Sequence, residues 1–283
     1  MLLKDFKNLV KLRLTFLVVF SASISYLIGS DGLAQINWIN WLKLIVGGFL
    51  VTGAANGFNE IIEKDLDKLM ARTADRPLPS GRMNNGQALV ISLVMGISGT
   101  YLLGSLNLLT GILSVFSILF YAFIYTPLKR KTPISVFVGA IPGALPPLIG
   151  YVAAHGKIDE LALILFGIQF VWQFPHFWAI AWVLDDDYKK AGFRLLPTTK
   201  RDRTSAIITF ISTILLIPVS LLPTIYGFGG YTIGIVSIIC GLAFAYQAYI
   251  LVKKLDIKSA QSLMFGSFIY LPIVQLVLLF NLK

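Results

Sequence analysis

Three polar side chains that carry hard oxygen atoms recur at intervals of four residues: Asn59, Glu63 and Asp67. At about 100° per residue, this spacing places them within about 80° of one helix face. Two carboxylates and an amide oxygen suit Mg²⁺, which is often completed by the phosphate oxygens of a substrate. Asn56 extends the stripe by about one turn. The alternative is an ordinary helix end with solvated charges.

A basic stretch that follows directly contains Arg72, Arg76 and Arg82 and is stiffened by two prolines and a glycine. The guanidinium fork matches phosphate oxygens bidentately, and proline limits the entropy lost when such a loop becomes ordered. The stretch therefore predicts phosphate contacts from its arginines. The alternative is attachment to anionic lipid.

A second basic segment, Lys129-Arg130-Lys131, lies between two prolines and follows Tyr125 closely. A tight hairpin here would direct some of these cations towards whatever binds at the same end of the protein. We interpret Tyr125, Lys129 and Lys131 as candidate substrate contacts. The alternative is a general signal of membrane topology.

An acidic run with Asp186 and Asp187 follows a polar stripe of Gln169, Gln173 and His176, which share one face of a helix. If that helix continued without a break, Asp187 would return to the same face. A proline inside the helix makes this register depend on a kink. The glutamines could instead hydrogen-bond to neighbouring helices, and His176 could be a packing residue rather than a ligand contact.

The composition shows what must position these side chains. The chain has 283 residues, of which 56% are hydrophobic and only 13% are charged, with one cysteine. These values exclude an ordinary soluble enzyme, a nucleic-acid-binding protein and a disulfide scaffold. Uninterrupted apolar runs predict an all-α integral membrane bundle. We predict nine transmembrane helices, at about 14–30, 39–59, 86–104, 108–126, 134–154, 161–184, 205–223, 231–252 and 260–281.

The distribution of basic residues predicts the orientation of the bundle in the lipid bilayer. Of the 24 lysines and arginines, 21 fall in the N-terminus and the loops on one side. The positive-inside rule makes that side cytoplasmic and therefore predicts a cytoplasmic N-terminus. The loops 60–82 and 185–203, which contain the two acidic clusters, are then both cytoplasmic. A bacterial inner membrane is the expected location. We expect 1–283 to form a single polytopic membrane domain.

Acids beside bases at one end of an apolar bundle are what a magnesium diphosphate requires, because acids hold the metal while bases hold the phosphates. Several segments are more specific and together resemble the protoheme IX farnesyltransferase (heme O synthase) family of the intramembrane UbiA-type prenyltransferases. The segments that carry the resemblance are Glu63–Pro77, Tyr125–Thr132, Pro142–Pro147, Pro175–Trp178 and Asp186–Gly192.

The resemblance implies nine helices around a central cavity, and an enzyme that transfers the farnesyl group of farnesyl diphosphate to a vinyl group of heme b. Water addition then gives heme O and diphosphate. Mg²⁺ is the implied cofactor, and heme b is a substrate. A downstream heme-modifying enzyme or an oxidase assembly factor is a further candidate partner.

The matched motifs assign roles to individual residues. Asn59, Glu63 and Asp67 take the first metal-site roles, and Asp186 and Asp187 take the second. The motif leaves open which of those two aspartates contacts the metal. The resemblance implies diphosphate contacts for the four basic residues Arg72, Arg76, Lys129 and Lys131. His176 is a candidate contact for heme, and Arg13, like Lys11, for the heme propionates.

Two other functions compete with heme farnesylation. One is a membrane prenyltransferase that acts on an aromatic quinone precursor, against which the segments around His176 and Asp187 argue. The other is a cation-coupled transporter, because intramembrane polar stripes also mark ion pathways. A transporter needs exits on both faces, whereas the ionisable residues of this sequence gather on one.

Overall fold

The structure, a computed structural model, describes residues 3–30 and 35–282, which form twelve α-helices and one π-helical segment. The π segment, Phe120–Tyr125, lies between the fifth and sixth α-helices. The α-helices are α1 Leu3–Leu9, α2 Leu12–Gly29, α3 Trp38–Asp67, α4 Asn85–Gly104, α5 Leu108–Leu119, α6 Thr126–Leu128, α7 Ser135–His155, α8 Glu160–Val183, α9 Asp185–Lys190, α10 Arg203–Ile225, α11 Tyr231–Lys254 and α12 Ile257–Phe280.

Within the described residues, nine helical segments are long and apolar enough to cross a membrane, with α5, the π segment and α6 counted as one. The nine predicted spans are thus confirmed, and nearly all of their ends agree within three residues. The exception is α3, which was expected to end near residue 59 and instead continues to Asp67. The extension places the first acidic motif on the helix itself rather than in a loop.

Asparagine and aspartate side chains define where most spanning helices begin. Each such side chain accepts a hydrogen bond from a backbone N–H three residues further on, which satisfies one of the free donors of the first turn. At α4 the contact is reciprocal, because Gln87 also accepts from the backbone of Asn84. The capping residues are Asn37, Asn84, Asn107, Asp159, Asp202 and Asp256.

The helix α7 is the most deeply buried span: 78% of its apolar window is buried, against 33–50% in the others. It packs against α2 on one side and α8 on another, while α12 contacts both α2 and α8. A buried polar junction joins three of these helices. Ser21 of α2 donates to Gln169 of α8 at 2.7 Å, and Gln275 of α12 donates to Ser21 at 2.8 Å. The first and last spans are thereby held together.

Gly150 marks the closest approach of α7 to α2. A Cβ atom at this position would lie 1.9 Å from the backbone oxygen of Ala22. We therefore expect Gly150→Ala to push the two helices apart and to destabilise the protein by about 2–3 kcal/mol, as overpacking in a core does. Thermal unfolding in detergent measures the effect. Gly167→Ala is the matched control, because its Cβ would meet its nearest neighbour, a methyl of Val219, at 4.0 Å. Equal melting temperatures for the two variants would contradict the prediction.

Candidate active site

The last three turns of α3 present the first acidic motif to a cavity of about 200 Å³. Asn59, Glu63 and Asp67 all line it, and all three are buried. The amide of Asn59 donates to Glu63 Oε2 at 2.9 Å, so the two side chains share one helix face as their spacing predicts. Asp67 is also buried, whereas the alternative of an ordinary helix end would leave its charge solvated.

Each of these three side chains is bonded to a cation from a different segment. Lys11 Nζ donates to Asn59 Oδ1 at 2.6 Å. Lys129 Nζ lies 2.5 Å from Glu63 Oε1, and Arg76 Nη1 lies 2.7 Å from Asp67 Oδ2. These are charge-assisted contacts in a largely buried setting, where screening by solvent is weak.

Lys11 enters the cavity from the junction between α1 and α2. Its backbone has φ 48° and ψ 57°, a left-handed conformation that is uncommon for a residue other than glycine and that recurs at functional sites. Asn56 supports the junction by donating to the carbonyl oxygen of Val10 at 3.2 Å. Burial, followed by the charges of Arg76 and Lys129, lowers the pKa of Lys11 to about 7.

A π-helical segment contributes a further part of the cavity wall. Thr126 donates from its backbone to Tyr121, five residues earlier, and its hydroxyl donates to the same oxygen at 2.9 Å. Pro127 follows and lacks the N–H that would continue a regular α-helix. The segment brings Tyr121 and Tyr125 to the cavity, and Asn59 donates to the Thr126 hydroxyl at 3.0 Å. Such π turns are frequent at functional sites.

Aromatic rings also surround Lys129. Its ammonium lies 5.3 Å from the ring centre of Tyr125 and 5.1 Å from that of Phe193, within the range of cation–π attraction. Phe177 and Ile180 of α8 add apolar surface to the lining. The cavity lining therefore combines charged groups with aromatic rings and aliphatic groups.

The loop after α3 divides its arginines between two environments. Arg72 and Arg76 line the cavity. Arg82 instead binds Asp5 at 2.9 Å and Asp75 at 2.8 Å, which fastens the loop to α1. Glu60 provides a second attachment, because its Oε1 accepts from the backbone N–H of Leu78 at 3.3 Å.

The second acidic run does not continue α8. That helix ends at Val183, Leu184 has φ −100° and ψ 10°, and a separate short helix, α9, carries the acids. The straight-helix register that the sequence suggested for Asp187 is therefore wrong. Arg201 contributes to the break by donating to the carbonyls of Trp182 and Val183, the last residues of α8.

The two aspartates in question differ in their surroundings. The side chain of Asp186 is 73% exposed and bonds to Arg201 at 2.9 Å. The side chain of Asp187 is 20% exposed and accepts from the backbone of Arg72 at 3.4 Å, beside the loop that follows α3. A hydrogen bond from Lys190 lowers the pKa of Asp187. Neither aspartate is among the residues that line the cavity, although Tyr188 is.

Four other predicted contacts also lie outside the lining. Asn56 donates to the carbonyl oxygen of Val10 at the α1–α2 junction, and Arg13 and Lys131 are exposed. His176 faces α12, where its Nδ1 lies 2.8 Å from the Ser267 hydroxyl. The ligand roles of these four residues remain predictions.

Comparison with known proteins identifies the family to which this fold belongs. The model of the UbiA prenyltransferase family matches residues 18–269. The chain belongs to the UbiA prenyltransferase family. Membership confirms the resemblance noted in the sequence, and with the nine apolar spans it indicates a multi-pass membrane protein.

The chain is also similar over nearly its whole length to proteins named protoheme IX farnesyltransferase. It is 48% identical to the one from Cytophaga hutchinsonii, with 95% of this chain and 94% of the relative covered. It is 46% identical to the one from Christiangramia forsetii, with 98% and 92% covered.

Solved structures share the fold. One concerning digeranylgeranylglyceryl phosphate synthase gives a TM-score of 0.81 at 24% identity and covers 99% of this chain and 98% of its own. A UbiA homologue from Archaeoglobus fulgidus, bound to GPP and Mg²⁺, gives 0.67 at 12% identity and covers 97% and 99%.

Sequence reasoning did not predict several contacts in and around this UbiA-type cavity. Lys11 was a candidate contact for the heme propionates, which stays a prediction, and in the structure it bonds to Asn59, 48 positions away. Glu60 and Arg201 were not singled out, although they hold the arginine loop and the end of α8. For Lys11, a signal was present, since it is a cation three positions before the first uncharged apolar run, which begins at residue 14.

Proposed function

We propose that this chain is a protoheme IX farnesyltransferase, which transfers the farnesyl group of farnesyl diphosphate to a vinyl group of heme b and yields heme O and diphosphate. The observation that carries this proposal is the near-full-length similarity to relatives of that name, at up to 48% identity. We further propose that 1–283 acts as one domain. Heme b is a substrate here, and a downstream heme-modifying enzyme or oxidase assembly factor remains a prediction.

The donor set of the cavity fits Mg²⁺. An amide oxygen and two carboxylates from one helix face are hard ligands, and arginine and lysine beside them match diphosphate oxygens. Asn59, Glu63 and Asp67 would hold the first metal ion, and Asp187 or Asp186 from α9 would serve the second metal site. Bound Mg²⁺ would neutralise charge that develops on the leaving diphosphate.

The protein's own groups would assist each stage. Arg72, Arg76 and Lys129 would bind the diphosphate and stabilise it as the bond between C1 of the farnesyl chain and oxygen breaks, with the electron pair leaving on oxygen. The walls formed by Tyr121, Tyr125 and Phe177 would keep water from the allylic cation. The vinyl group of heme would then attack C1. Water would capture the resulting porphyrin-stabilised cation and lose a proton to solvent or diphosphate.

The test combines the purified chain in detergent with heme b, farnesyl diphosphate and Mg²⁺, followed by mass analysis of the porphyrin. We expect hydroxyethylfarnesyl heme, and we expect none when Mg²⁺ is removed by a chelator. A parallel reaction replaces heme with 4-hydroxybenzoate. Prenylated 4-hydroxybenzoate with unmodified heme would establish the quinone-precursor alternative. No product in either reaction would favour the transporter alternative.

We also propose that the protein lies in a bacterial inner membrane with its N-terminus and both acidic loops in the cytoplasm, because 21 of 24 basic residues fall on that side. Single cysteines in a Cys240→Ser background test the orientation. We expect Ala74→Cys and Lys200→Cys, both at exposed positions, to react with an impermeant thiol reagent only from the cytoplasm. Lys157→Cys should react from outside. Labelling of Ala74→Cys and Lys200→Cys from opposite faces would contradict a single site.

A further inference from the structure

The candidate metal ligands already hold cations in this structure. Asn59 Oδ1 accepts from Lys11 and Asp67 Oδ2 accepts from Arg76, while Glu63 Oε1 forms an ion pair with Lys129. The three cations come from three separate segments: the α1–α2 junction, the residue after α6, and the loop after α3. A metal ion that approached these oxygens would compete with a cation at each of them.

The net charge of the cavity lining also opposes the binding of a bare metal ion. Four bases line the cavity, namely Lys11, Arg72, Arg76 and Lys129, against two carboxylates, Glu63 and Asp67. A bare dication entering this space meets excess positive charge, which opposes its binding in a partly desolvated site. A diphosphate ester carries about three negative charges, so its complex with one Mg²⁺ is still an anion, which this lining attracts.

The acids alone also provide too few ligands. Among residues 3–30 and 35–282, no three His, Cys, Asp or Glu side chains lie close enough together to hold a metal ion. Magnesium requires about six ligands and usually takes several from water and substrate phosphates. The missing ligands must therefore arrive with the diphosphate or as water.

We propose that Lys11, Arg76 and Lys129 are exchangeable counter-ions that make metal binding conditional on diphosphate. Without diphosphate they occupy the oxygens of Asn59, Asp67 and Glu63. When the metal diphosphate enters, the cations move to phosphate oxygens and the freed carboxylates bind the metal. This inference rests on the proposed function, and it assigns Lys11 to diphosphate rather than to a heme propionate.

Equilibrium dialysis of the full chain in detergent tests the proposal, with Mn²⁺ as the metal probe and inorganic diphosphate as the anion. Both are measured on the protein side. We expect Mn²⁺ alone to bind wild type at least about tenfold more weakly than Mn²⁺ with diphosphate, the effect of one charge-assisted contact. Equal affinity for Mn²⁺ with and without diphosphate would overturn the proposal.

Lys129→Met supplies the decisive variant. Removing this cation frees Glu63, so bare Mn²⁺ should bind about tenfold more tightly than to wild type. Lys68→Met is the matched control, because Lys68 forms an exposed pair with Asp65 on the same helix end and should leave Mn²⁺ binding unchanged. If Lys129→Met does not fold, Arg76→Gln gives the same test at Asp67. Unchanged affinity for bare Mn²⁺ in a folded variant of either kind would overturn the exchange.

The Mn²⁺ binding measurement tests the counter-ion exchange, and the heme assay tests the proposed acceptor, so each proposal can be refuted without the other. A chain that shows the expected dependence of Mn²⁺ on diphosphate but leaves heme unmodified would refute the proposed acceptor and support the exchange. A chain that farnesylates heme but binds bare Mn²⁺ as tightly as Mn²⁺ with diphosphate would refute the exchange and keep the proposed function.

Discussion

The substitution Asp67→Asn should lower the rate of heme farnesylation by about a thousandfold, because it removes a ligand charge where diphosphate departs. Asparagine keeps an oxygen that can accept from Arg76, so we expect the buried contact at 2.7 Å to persist and the protein to remain folded. Product formation at limiting Mg²⁺ measures the loss, and size-exclusion chromatography with thermal unfolding checks the fold.

Asp65→Asn is the control for this change. Asp65 lies two residues away on the same helix, but its side chain is 86% exposed and pairs only with Lys68 among the described ion pairs. Removing an exposed charge of this kind should alter the rate by less than about twofold. Wild-type activity in Asp67→Asn at limiting Mg²⁺ would refute the assignment of Asp67 as a metal ligand.

Asp187→Asn and Asp186→Asn should separate the two aspartates of the second motif. Asp187 lies against the backbone of Arg72, next to the loop that follows the first motif, whereas Asp186 is directed to Arg201 and solvent. We therefore expect Asp187→Asn to lower turnover by about a hundredfold through the loss of a metal ligand charge. Asp186→Asn should cost less than about threefold, as for an exposed ion pair.

Turnover of each variant across a range of Mg²⁺ concentrations measures this difference. A metal ligand should raise the Mg²⁺ requirement when it is replaced, which a purely structural residue would not do. If Asp186→Asn causes the larger loss of turnover and the higher Mg²⁺ requirement, then Asp186 rather than Asp187 faces the metal, and our assignment of the two aspartates is wrong.

Local patterns in the sequence predicted most of the fold. Apolar runs of the length of a bilayer defined the nine spans, and the capping residues define most of their starts. The end of α3 was missed because Glu60, Glu63 and Asp67 break the apolar run, although a helix continues through them. Their charges are balanced by partners that hydropathy does not register, such as Lys129.

The spacing of four residues predicted correctly that Asn59 and Glu63 share a face. Contacts between distant segments could not be read in this way. Arg201 ends α8 from beyond α9, and Lys11 reaches Asn59 from another helix junction. His176 was grouped with Gln169 by its period, and both bond to α12, through Ser267 and Gln275, but Gln169 also bonds to α2 and α7. The period of a polar stripe does not reveal which neighbouring helices its members contact.

The polar junction of Ser21, Gln169 and Gln275 has a consequence for biogenesis. Gln275 lies 254 positions after Ser21, near the end of the chain. During synthesis from the N-terminus, α2 and α8 enter the bilayer long before α12 exists. Ser21 and Gln169 therefore lack Gln275 as a hydrogen-bond partner until α12 is inserted. Only the final helix completes the hydrogen bonds and closes the bundle. In a nascent chain that lacks α12, Ser21 and Gln169 still bond to each other, but the side of this polar pair that α12 covers is open to the membrane, a defect by which cellular quality control can distinguish unfinished molecules from complete ones.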